Sequence, residues 1–171
     1  MELATHELIF NGALLSRGYW LYVWEVVGPE DAKIYYVGRT GDSSSTNAQS
    51  PFNRMGQHLG RNNRANVLHR CLIREKFDPA RCSFRLVTSG PVFDEPSELN
   101  DHLRCRDVVA GLEMALAAAM REAGYRVVNN VYSKKPVDAA LFAEIHKSFG
   151  THFPALLAGK DSQGNARLTS A

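Results

Sequence analysis

Aromatic and β-branched residues crowd Tyr19 to Val27 (YWLYVWEVV), and the GPED that follows has turn chemistry. The pattern predicts a strand ending in a turn. Lys33 to Gly38 (KIYYVG) reads as a second strand, so the two are expected to pair as an antiparallel hairpin at the centre of a small sheet. Asp42 to Ser50 (DSSSTNAQS) is too polar to pack and is expected to be an exposed, mobile loop. Pro51 suits a first helical position, and Phe52, Met55 and Leu59 follow at spacings of three and four, predicting a short helix that carries Arg54 and His58.

Asn66 to Lys76 repeats the helical spacing, with Val67, Cys71 and Leu72 on one face. Ser83 to Thr88 alternates as a third strand, followed by a loop through Pro91 and Pro96. Glu98 to Ala123 is helical, in one piece or two. Arg126 to Val131 is extended, Val137 to Phe149 predicts an amphipathic helix, and the residues from Gly159 onward read as a frayed tail.

A length of 171 residues with 44% hydrophobic content is enough for one continuous core. We expect a single α/β domain of the α+β type, a small three-stranded antiparallel sheet flanked by helices. It spans residues 19–150, between an N-terminal extension (1–18) and a C-terminal tail (151–171). The 22% charged fraction excludes a disordered chain. A net charge of +2 does not establish a nucleic-acid partner, so local clustering must do so.

Three cysteines, Cys71, Cys82 and Cys105, lack zinc-ligand spacing and are read as reduced thiols in a cytoplasmic protein. His102, three residues before Cys105, has no second ligand pair and is read as a surface helix residue. No stretch approaches the ~20 apolar residues of a membrane span, and MELATHELIF lacks the basic-then-apolar order of an export signal.

Several polar positions carry chemistry. Arg54 can give two parallel hydrogen bonds to a phosphate, and His58, one helical turn later, shares its face. Glu113 lies on an apolar stripe with Val109, Leu116 and Met120, where a carboxylate without a partner costs several kcal/mol. It needs a metal or an internal salt bridge to an arginine. Tyr22 and Tyr36 fit ordinary core aromatics, and a phenol with a pKa near 10 serves as a base only beside a cation or metal. Tyr35 must point to the opposite face of its strand and is excluded. Arg61, Arg64, Arg70, Arg74 and Lys76 form a basic segment interrupted only by Glu75, suited equally to a phosphate backbone and to a solvated face.

In order, the chain presents WLY ending in Tyr22, YVG at Tyr36 to Gly38 continued by Arg39 and Thr40, Arg54-x-x-x-His58, LEMAL around Glu113, and Asn130-Val131. This succession resembles the GIY-YIG nuclease superfamily over roughly Tyr19 to Tyr132. Trp20 and Leu21 replace the usual Gly and Ile, and the Ser-rich segment lengthens the gap between Tyr36 and Arg54, which costs little as a surface loop.

The resemblance implies a DNA endonuclease that hydrolyses phosphodiesters with one Mg²⁺ or Mn²⁺ held by Glu113. Tyr22, Tyr36, Arg54, His58 and Asn130 would complete the catalytic set, with Asn129 competing for the last place. Arg39, Arg61 and Arg64 become candidate DNA contacts. With no attached recognition domain, target choice would fall to loops or to a homodimer. The alternative is a DNA-binding module on the same scaffold that has lost cleavage.

Overall fold

A computed structural model describes residues 3–60 and 66–158. After a 3-10 turn at Gly12–Leu15 come β1 (Tyr19–Val27), β2 (Lys33–Arg39), α1 (Pro51–Leu59), α2 (Val67–Arg74), β3 (Ser83–Phe93), α3 (Leu99–Glu122), α4 (Ala139–Gly150) and α5 (Ala155–Ala158). The strands form one antiparallel sheet in the order β2-β1-β3, packed against helices in an α+β fold.

The dense apolar run of β1 follows from its central place, because a strand covered on both faces has no reason to alternate. One face carries Tyr19, Leu21, Val23, Tyr35 and Val37 into a core with Val109, Leu112 and Leu116 of α3 and Phe149 of α4. The other carries Tyr22, Trp24, Val26, Ile34 and Tyr36 against Leu68, Cys71 and Leu72 of α2. Tyr35 and Tyr36 therefore lie in different cores, as the two-residue period of a strand requires. The pairing sets Tyr22 opposite Gly38 and Trp24 opposite Tyr36, so all four share the second face.

Several boundaries depart from the sequence pattern. β3 continues past Thr88 through Pro91 to Phe93, since it is an edge strand, where the missing N–H of a proline removes no ladder bond. α3 is one helix of 24 residues; Gly111 at its middle leaves space for the backbone of Pro136, which a β-carbon would strike. α4 starts at Ala139 because Asp138 caps it, its Oδ1 accepting from the N–H groups of Ala140 and Leu141, each at 3.0 Å. The extended segment at 126–131 forms no strand of the sheet and meets β2 at a Tyr35–Val127 bridge. Within the expected tail, Phe153 and Leu156 are buried in the first core, while the residues from Gly159 lie outside those described.

Two expectations fail for one reason. The segment from Asp42 to Ser50 is not a loose loop: Ala48 is fully buried, its N–H donates to Glu95 (2.7 Å), and the Ser43 carbonyl accepts from His102 Nε2 (3.0 Å). His102 is correspondingly no surface residue. It is fully buried, and its Nδ1 lies 2.5 Å from the Tyr19 hydroxyl. Polar side chains here are held by distant partners that local patterning does not register. Among the described residues, no helix is long and apolar enough to cross a membrane.

Candidate active site

Helix α1 is entered through Ser50, whose hydroxyl accepts from Asn53 N–H (3.2 Å), with Pro51 in the first turn. Its expected apolar face of Phe52, Met55 and Leu59 is only half-buried, and His58 is the deeply buried side chain, at 3% exposure. The helix lays its polar edge on the two tyrosines. Tyr22 Oη lies 2.6 Å from His58 Nε2, and the His58 ring meets those of Tyr22 and Tyr36 edge-on at centroid distances of 5.5 and 5.0 Å.

The Arg54 guanidinium also lies close enough to Tyr22 to act on its phenol electrostatically. Where the phenol donates to His58 Nε2, the proton of the neutral ring sits on Nδ1. That Nδ1 is buried with no partner among the described residues. Burial, reinforced by the Arg54 guanidinium, lowers the His58 pKa to about 4. The imidazole is thus neutral at ordinary pH. Burial pushes both phenols well above their usual range, with Arg54 acting in the opposite sense on each.

Arg54 donates from Nη2 to Asp42 Oδ2 (3.0 Å) and from Nη1 to Gln57 Oε1 (2.9 Å), and its Nε is buried without a partner among the described residues. Asp42 follows Gly41, whose φ of +72° turns the chain out of β2. Sequence reasoning missed Asp42 by assigning it to a mobile loop. The available signal was its position as the first acid after the YVGRT run, on the segment leading into the Arg54 helix.

Glu113 lies within the body of α3, its side chain 17% exposed, with its Oε2 accepting from Arg39 Nε at 2.9 Å. Burial raises its pKa to about 7, against the lowering influence of Arg39. Arg39, expected at DNA, is thus turned toward the carboxylate, and its Nη1 is buried without a partner among the described residues. Beside the pair opens a cleft of about 330 Å³, walled by Tyr36, Glu113, Val67, Cys71 and Arg74 and by residues 129–132.

The two asparagines separate cleanly. Asn129 is buried and spans the backbone of Val37, accepting its N–H (3.0 Å) and donating to its carbonyl (2.7 Å), so it fastens the extended segment to β2. Asn130 is exposed and lines the cleft. Arg61 and Arg64 lie outside the described residues. Arg70 and Arg74 of the same basic segment are exposed on α2.

The structure thus gathers Tyr22, Tyr36, Arg54 and His58 on one face of the sheet and brings Glu113, Tyr36 and Asn130 to one cleft. No family model matches the chain, and comparison with curated proteins and with solved structures found no match. The chemistry must be judged on the site itself. A neutral imidazole bonded to a phenol can take a proton, buried guanidinium and N–H groups without partners suit an anion, and a partly buried carboxylate at a cleft suits a cation.

Among the described residues, no group of three or more His, Cys, Asp or Glu could hold a metal ion. A single carboxylate nevertheless fits Mg²⁺ or Mn²⁺, which keep most of their water and share the rest of their coordination with substrate phosphate.

Proposed function

We propose that the chain is a divalent-metal-dependent DNA endonuclease with a one-metal, GIY-YIG-like mechanism. The observation that carries this reading is the buried Tyr22–His58–Arg54 cluster, in which a proton acceptor and two donors without partners converge beside a carboxylate-bearing cleft. Structural polar clusters normally satisfy their buried groups, because each unpaired one costs about 1–3 kcal/mol. Arg54 Nε, Arg39 Nη1 and His58 Nδ1 are buried without partners among the described residues, as are Trp20 Nε1, Trp24 Nε1 and Gln49 Oε1 elsewhere, and an anion would complete the three at this site.

Arg54 binds the scissile phosphate and stabilises the charge that grows on it, while Tyr22 receives the proton of the attacking water as its own passes to His58 Nε2. Tyr36, at the cleft, positions water or phosphate. Glu113 would hold Mg²⁺ or Mn²⁺, which when bound supplies charge neutralisation to the phosphate and the leaving oxygen. Glu113 must be ionised to do so, and with a pKa near 7 it is poised to be.

The second reading, a DNA-binding module without cleavage, is favoured by one observation: in the free chain the Glu113 carboxylate that would hold the metal is already paired with Arg39. Incubation with supercoiled, linear and branched DNA in Mg²⁺, Mn²⁺ or EDTA separates the two. Nicking that needs metal supports the enzyme; tight binding with no cleavage in either metal supports the module.

A further inference from the structure

The cleft beside Glu113 and Tyr36 contains more than phosphate chemistry requires. Its size falls at the lower end of the ~300–1,000 Å³ typical of small-molecule sites. Val67 and Cys71 give it an apolar wall, and Arg74 a cation. Its two amides differ, since that of Asn129 is committed to the Val37 backbone while that of Asn130 bonds to no described residue. Tyr132, also in the lining, is 78% exposed.

A single exposed tyrosine on a protein surface means little. Here it shares a pocket with an uncommitted amide, an apolar wall and the carboxylate of the candidate metal site. Phosphates are held by cations and N–H groups and gain nothing from an aromatic plane or an apolar wall. A nucleobase uses each: a π-face to stack, an amide for its hydrogen-bonding edge, and an apolar surface for the remainder.

We propose that this cleft receives the unstacked base of the nucleotide next to the cut phosphate, with Tyr132 stacking on it and Asn130 meeting its edge. The preferred substrate is then DNA in which that base is free to leave the helix, such as a flap, a branch or a single strand, because extruding a base from continuous duplex costs a few kcal/mol. This inference rests on the nuclease reading above.

The test compares kcat/KM of wild type, Tyr132→Ala and Tyr132→Phe on a flap DNA, on the matching continuous duplex, and on the flap with an abasic nucleotide on either side of the mapped cut. Tyr132 is exposed, so both variants should fold as wild type does. Tyr132→Ala is expected to lower kcat/KM on the flap on the order of 10-fold or more, the usual scale for losing one stacked base, with Tyr132→Phe retaining activity. On the abasic flap the loss should vanish, since the stacking partner is already gone. Equal cleavage of flap and duplex by wild type, a Tyr132→Ala variant as active as wild type, or a loss of equal size on normal and abasic flaps would each overturn the base-binding cleft while leaving the nuclease reading intact. Failure of wild type to bind or cut any of the DNAs would overturn both.

Discussion

Gly38 faces Tyr22 across the β1–β2 pairing so closely that a β-carbon there would lie 2.5 Å from Tyr22 Cζ and 2.6 Å from its hydroxyl oxygen. The glycine leaves room for the phenol to lie against the neighbouring strand and reach His58. Gly38→Ala should therefore cost about 1–3 kcal/mol in chemical denaturation, the usual scale of overpacking. In a Tyr22→Ala background most of that cost should disappear, and full additivity would mean that the contact does not hold Tyr22 in place.

Stability against pH should reveal two opposed groups. Glu113, raised to about 7, is a cost that is absent in acid, appears above the unfolded carboxyl pKa of about 4.3, and is complete above 7. His58, lowered to about 4, acts oppositely: its contribution is whole above the unfolded value of about 6.5 and is lost as pH falls toward 4. Glu113→Gln should remove the first and unmask the second, so that the variant gains stability relative to wild type by up to about 3 kcal/mol between pH 4.5 and 7. Parallel stability curves would show that Glu113 is ionised freely. Added Mg²⁺ should make the wild-type curve rise with pH as that of the variant does, because an ion that binds the carboxylate favours its charged form.

On the proposed mechanism the tyrosines divide the labour unequally. Tyr22→Phe should slow single-turnover cleavage by about 10² to 10⁴, the range for positioned proton transfer, with DNA affinity little changed. Tyr36→Phe should cost less. A dead Tyr36→Phe alongside a near-normal Tyr22→Phe would exchange their roles.

His102 anchors the Asp42–Ser50 segment from beneath, linking the Tyr19 hydroxyl to the Ser43 carbonyl. His102→Leu should speed amide hydrogen exchange across residues 42–50 and lower stability by about 1–3 kcal/mol for the buried groups left unpaired. Unaltered exchange there would mean that Ala48 and Glu95 suffice to hold the segment.

How far the sequence carried this account depends on the range of the contact. The strands, the opposite faces of Tyr35 and Tyr36 and the shared face of Arg54 and His58 follow from periods of two and 3.6, which are local properties. The burial of His102, the seat of Asn129 on Val37 and the pairing of Arg39 with Glu113 join residues 59 to 92 positions apart, and no periodicity encodes them. For Glu113 the pattern established only that a partner was required, leaving metal and arginine open. The structure supplies an arginine in the free chain, beside a cleft.

The central claim is that Arg54 and Glu113 perform catalysis rather than support the fold. The most direct test is the single-turnover rate of cleavage of supercoiled DNA at saturating Mg²⁺ for wild type, Arg54→Ala and Glu113→Gln, with melting temperatures measured on the same samples. We expect each variant to lose on the order of 10² to 10³ in rate, as for other single electrostatic stabilisers, and wild type to fall silent in EDTA. Melting temperatures should stay near that of wild type, or rise for Glu113→Gln at neutral pH. Cleavage that survives EDTA, or rate losses that follow the loss of folded protein, would contradict the claim.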